Sequence, residues 1–197
     1  NDKGMWRKED TEDPFDIIIS PSGDQLLIQN QDIMGKMEEH TFLLYESQDQ
    51  KRPSALSMHY SVFRGDDPEA LSVFKFLADN TSVEWLLYNG ENGQTLLGKN
   101  HLSGIVFEDT FKYWTSISSE TKIKNVMQKD PLWKIHNHPG DTPDEIDSMS
   151  KDKEYTRYHP TVHSYVYINQ SGNIYDIHYK SITRNLRWVD LLKLYYK

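Results

Sequence analysis

The chain has 197 residues, long enough for one domain with a real core, and carries 30 acidic against 22 basic residues for a formal net charge of -8. That field repels phosphate backbones and argues against a nucleic-acid partner, although "KYWTSISSETKIKNVMQK" is locally basic. With no cysteine, thiolate metal sites, disulfides and cysteine nucleophiles are excluded, so any metal must be held by His, Asp or Glu.

Hydrophobic residues make up 37% and the mean hydropathy is -0.75, but twelve Tyr, seven Phe and five Trp supply bulky core material. No run approaches the ~20 apolar residues of a membrane span, so no membrane insertion is expected. The opening "NDKGMWRKEDTEDP" shows neither a signal peptide nor an initiating Met, which reads as a piece of a longer polypeptide.

Residues 1–14 read as a charged arm. "FDIIISPSGDQLLIQN" predicts a hairpin about Pro21-Ser22-Gly23-Asp24, and "HTFLLYES" a third strand, with a polar loop over 48–53. Residues 1–55 form a β-rich lead-in and 56–197 the main domain. A helix over 67–79 follows from Asp66-Asp67-Pro68 as cap and first turn, with Ala70, Leu71, Val73, Phe74 and Leu77 at helical spacing and Asn80 as its stop.

"SVEWLLYNG" predicts a short strand and "TLLGKNHLSGIVF" one or two more. Ile123, Val126 and Met127 share a helix face, and Pro131 ends that segment. "LWKIH" is strand-like and delivers His136-Asn137-His138 to a Pro139-Gly140 turn. Thr142-Pro143-Asp144-Glu145 predicts a helix of about ten residues, with Thr142 as cap. "TVHSYVYINQSGNIYDIHYK" is a hairpin about residues 170–173, and "WVDLLKLYYK" a terminal helix, with a final strand as the alternative. This succession predicts an α/β or α+β fold with a mixed β-sheet flanked by helices.

On a strand, side chains two residues apart share a face, so His136 and His138 converge while Asn137 points away. Asp147 lies about one turn into the following helix and is the expected third ligand. Two imidazoles and a carboxylate leave one tetrahedral position open, the catalytic pattern for zinc.

His136-Asn137-His138-Pro139, followed by Asp144-Glu145-Ile146-Asp147, resembles the His-x-His-Pro and Ser-x-x-Asp signature of JAMM zinc peptidases of the MPN type. The resemblance covers roughly residues 66–180 and is nearest in character to JAMM-like toxin domains at the C-termini of bacterial polymorphic and Rhs-type toxins. It implies a cytidine-deaminase-like JAMM core, Zn²⁺ on His136, His138 and Asp147, and Glu84 as the acid–base residue of peptide or isopeptide hydrolysis. It further implies a protein or peptide substrate, delivery as a secreted bacterial effector into a target cell, and a cognate immunity protein.

Two departures from the pattern concern the helix. Asp144 stands where the family has Ser, and the interval from His138 to Asp147 is slightly shorter than usual; an ionised carboxylate at 144 cannot donate to an oxyanion. Thr142, Ser148 or a backbone N–H are the substitutes, and Asp144 and Asp152 are alternative third ligands. Glu91 and Glu108 are alternatives to Glu84, while His163 and His178 read as hairpin packing residues. The rival functions are a catalytically silent MPN-like binding module and a metal-dependent nuclease, the latter disfavoured by the acidic charge.

Overall fold

The computed structural model describes residues 7–9, 15–19, 25–29, 32–34, 38–45, 53–64, 68–81, 84–90, 94–99, 130–140 and 142–195. The expected caps Asp66 and Asp67, the helix face of Ile123, Val126 and Met127, and Glu91 and Glu108 lie outside these residues.

Four strands, β1 (Arg7–Glu9), β2 (Phe15–Ile19), β3 (Gln25–Gln29) and β4 (Asp32–Met34), form an antiparallel meander. The expected hairpin is β2–β3, in register Phe15↔Gln29. The charged arm contributes a strand that its composition did not announce, because β1 pairs with β2 through backbone groups.

The second sheet has eight strands: β5 (Glu38–Tyr45), β6 (Pro53–Arg64), β7 (Leu86–Asn89), β8 (Gln94–Lys99), β9 (Trp133–His138), β10 (His163–Ile168), β11 (Ile174–His178) and β12 (Ser181–Leu186). Their order is β12-β11-β10-β9-β7-β8-β6-β5. All neighbours are antiparallel except β9 and β10. The fold is thus α+β with a mixed sheet, as expected. β6 and β12 were not anticipated: β6 is a strand because β5 and β8 pair with its two edges, and β12 because β11 offers it an edge. β6 also runs through the expected boundary at residues 55 and 56.

Helix α1 (Pro68–Asn80) buries Ala70, Leu71, Val73, Phe74 and Leu77 against one sheet face, with Trp85, Leu87, Leu97, Ile135, Tyr165 and Tyr167. A terminal helix (Trp188–Tyr195) joins that side through Leu191 and the partly buried Trp188. The opposite face is covered by two short helices, α2 (Glu145–Ser148) and α3 (Ser150–Tyr158), followed in chain order by the terminal helix as α4. Parallel strands need a crossover, and α2–α3 is the crossover between β9 and β10. Where one continuous helix from Pro143 was expected, Asp144 rather than Thr142 is the cap, and a break at Met149 separates two helices. Among the described residues no helix is long and apolar enough to cross a membrane.

Candidate metal centre

The alternation of β9 divides its residues between the two faces. Trp133 and Ile135 enter the core beneath α1, whereas Lys134, His136 and His138 point towards α2 and α3. His136 is 6% exposed. Its Nε2 lies 3.1 Å from Nε2 of His138 and 3.2 Å from Oδ1 of Asp152, and Oδ2 of Asp152 lies 3.5 Å from Nε2 of His138. The three side chains thus close a triangle of contacts of similar length, Asp152 meeting each histidine with a different carboxylate oxygen.

Each of these spacings is close to that between ligand atoms of a tetrahedral zinc site, about 3.3 Å at ordinary bond lengths. Two imidazole nitrogens held 3.1 Å apart would bring their lone pairs together. One proton can join one pair of atoms, but a cation at the centre serves all three. The donor set therefore fits a divalent metal.

The electrostatics agree. Burial pulls the His136 pKa down, but the adjoining Asp152 carboxylate and then Glu84 push it up against Lys134, and the net shift is upward. Burial would raise Asp152; His136 and His138 overcome this and hold its carboxyl well below the usual carboxylate range. The site thus keeps an ionised carboxylate beside imidazoles at neutral pH.

The third member of the cluster is Asp152, one of the two alternatives, and not Asp147. Helix phase is the reason. Met149 is fully buried with Val166, Ile168, Tyr175 and Ile177, which turns its side of the helix pair onto the sheet. At about 100° per residue, Asp152 in α3 lies only about 60° from its cap Met149, whereas Asp147 belongs to α2, before the break. Asp147 is accordingly exposed, and its N–H donates to Oδ1 of Asp144 at 3.0 Å. Asp144 is that helix cap, an exposed residue in extended conformation, and not a member of the donor cluster.

Ser148, Asp152, Tyr155 and His159 form a stripe at i, i+4, i+7 and i+11 that runs beside β9. A helical turn of about 5.4 Å and a two-residue strand step of about 6.7 Å are similar enough to pair rung by rung. Ser148 meets His138, Asp152 meets His136, and Lys134 Nζ sits 3.3 Å over the Tyr155 ring. Tyr155 stacks on His159, whose Nδ1 is 2.8 Å from Oδ2 of Asp130. This stripe was the available sequence signal for Asp152, and it becomes visible only with the phase that Met149 sets.

Ser148 Oγ donates its single proton to Glu145 O at 2.7 Å, so it accepts from Nδ1–H of His138 at 3.1 Å. That tautomer leaves the Nε2 lone pair of His138 for a metal. Ser148 thus orients a side chain that could hold a metal. Gly140, with φ +85°, supplies the turn between β9 and the crossover.

Glu84 arrives from the neighbouring strand. In the antiparallel register Leu86 faces His136, so Glu84, two residues earlier, shares the side of the donor cluster. Its Oε1 is 3.9 Å from Nε2 of His136, close to the donor triangle without belonging to it. His163 and His178 lie on the hairpin, away from the cluster, beside Asp176, whose carboxyl is raised by burial with the two histidines only partly offsetting it.

A family model described as JAB-like toxin 1 matches residues 62–161, half of the chain. The chain belongs to this JAB-like toxin family. The matched span contains Glu84, both histidines and Asp152, so the cluster lies wholly within the JAB-like toxin domain. Searches among curated proteins and among solved structures return no match.

Proposed function

We propose that this JAB-like toxin domain is a zinc-dependent hydrolase of peptide or isopeptide bonds. The carrying observation is the triangle of His136, His138 and Asp152 donor atoms with a second, non-ligating carboxylate, Glu84, at 3.9 Å. Zinc held there would supply a Lewis acid that acidifies water and polarises a scissile carbonyl.

The chain's own residues do the rest. His136 and His138 present Nε2 lone pairs, Asp152 contributes the negative charge that offsets the cation, and Ser148 locks the His138 tautomer. Glu84, with its side chain 12% exposed, is placed to accept the proton of an attacking water at a carboxylate oxygen and return it to the leaving amine. Asp144 does not stand in for a serine in this scheme, since its carboxylate is engaged as a helix cap.

On this reading the substrate is a protein or peptide and the domain acts as the toxic part of a secreted bacterial effector. Such an activity would endanger the producing cell, which calls for a cognate immunity protein covering the cleft. Membership of a toxin family supports the toxic role.

The test is Glu84→Gln expressed inside bacterial cells beside the wild-type chain. The expected result is growth arrest by wild type, none by the variant, and about one zinc per chain in both, as for a single catalytic site. Equal toxicity of the two chains would overturn hydrolysis as the function.

A further inference from the structure

We infer that Asn137, the residue between the two histidines, is a positioning residue that sets where Glu84 stands beside the donor triangle. The inference rests on the metal-centre reading above. Asn137 points away from the chemistry, towards α1, and is completely buried. A buried amide is costly unless its donors and acceptor are satisfied, so its partners reveal its purpose.

Oδ1 of Asn137 accepts the Trp85 backbone N–H at 2.6 Å, and the Asn137 N–H donates to Trp85 O at 3.3 Å. Nδ2 donates to Oδ1 of Asn169 at 2.8 Å, and Nδ2 of Asn169 donates to Ala78 O near the end of α1. Asn169 is also fastened to the metal strand, its N–H donating to His138 O at 3.2 Å. The relay therefore joins α1, the end of β10, the His-x-His strand and the segment entering β7.

Trp85 is held from its other end as well. Its indole Nε1 donates to Thr81 Oγ1 at 2.7 Å, and Thr81 Oγ1 donates to Leu77 O at 2.7 Å. Glu84 is the residue next to this clasped tryptophan, and strand alternation sends its side chain to the opposite, metal-facing side. Regular β7 pairing begins only at Leu86, so the Asn137 amide takes over fixing the chain where the ladder has ended. Asparagine suits the position because it offers an acceptor to Trp85 and a donor to Asn169 from one short side chain. Alanine offers neither, and aspartate lacks the donor.

The test loads wild type, Asn137→Ala, Glu84→Gln and the double variant with Co²⁺ and compares their visible spectra. Asn137→Ala is expected to hold one cobalt, to show a band envelope displaced towards that of Glu84→Gln, and to add nothing to Glu84→Gln in the double variant. A spectrum identical to wild type, or an effect that adds to that of Glu84→Gln, would overturn the inference. So would loss of cobalt from a variant whose fold is intact, which would mean that Asn137 supports the ligands themselves.

Asn169→Ala cuts the same relay one residue away and takes the place of Asn137→Ala if that chain does not fold. Failure of wild type to bind cobalt would instead sink the metal reading. Amide exchange in the metal-free protein then decides the clasp. Exchange of the Trp85 N–H about tenfold faster in Asn137→Ala supports it, the size expected for losing a buried hydrogen bond, and an unchanged rate refutes it.

Discussion

Replacing Asp152 by Asn keeps the shape of the side chain and removes its charge, and so isolates the third ligand. Asp152 closes two edges of the donor triangle, at 3.2 Å to His136 and 3.5 Å to His138. Structural zinc bound by four protein ligands is held by about 10–16 kcal/mol, roughly 2.5–4 kcal/mol per ligand if shared evenly. At about 1.4 kcal/mol per factor of ten, Asp152→Asn should weaken zinc binding by about 10²–10³. Asp147→Asn, changing an exposed carboxylate outside the cluster, should leave affinity within about twofold. Competition titration against a chromophoric chelator at neutral pH measures both. The reasoning about helix phase fails if Asp147→Asn weakens zinc as much as Asp152→Asn, or if Asp152→Asn leaves affinity unchanged.

Ser148→Ala removes the acceptor for Nδ1–H of His138 and should lower zinc affinity about 10–100-fold without unfolding the domain, as read by the same titration. Asp144→Ala should cost about 1 kcal/mol in denaturant unfolding, the value of a helix cap, while zinc affinity holds. Phe74→Ala, which empties a fully buried site beside Trp188, should cost about 3–5 kcal/mol in the same assay.

The metal-free protein should show a stability maximum in mildly acidic solution. Asp152 has a depressed folded pKa, so its contribution is present above its ordinary value of 3.8 and declines as pH falls below it. His136 has a raised one, so its contribution is complete below 6.5 and disappears as pH rises through the raised value. Zinc binding should run the other way at His136, weakening as pH falls because the proton competes for Nε2. Thermal unfolding of the metal-free chain that strengthens steadily from neutral to alkaline pH would contradict this assignment.

The amino-acid sequence by itself determined the parts that local rules govern. Strand alternation put His136 and His138 on one face and Asn137 on the other. Helical spacing from Ala70 to Leu77 marked α1, and the aromatic, β-branched runs about Gln170 to Asn173 marked the β10–β11 hairpin. In each case the physical cause operates over a few residues, so the pattern is complete within the segment itself. Glu84 was legible only through family resemblance, since a lone carboxylate in a strand carries no local signal of its partner.

Tertiary structure decided what depends on distant partners. β6 and β12 exist because neighbouring strands pair with their backbones, whatever their side-chain pattern. The choice among Asp144, Asp147 and Asp152 needed the rotation of the crossover helices about their axes. That rotation is set by Met149 entering an apolar cluster built from β10 and β11, so the carboxylate that joins the histidines is selected by packing on strands that follow it in the chain. Burial of one methionine turns Asp152 towards the histidines and Asp147 towards water.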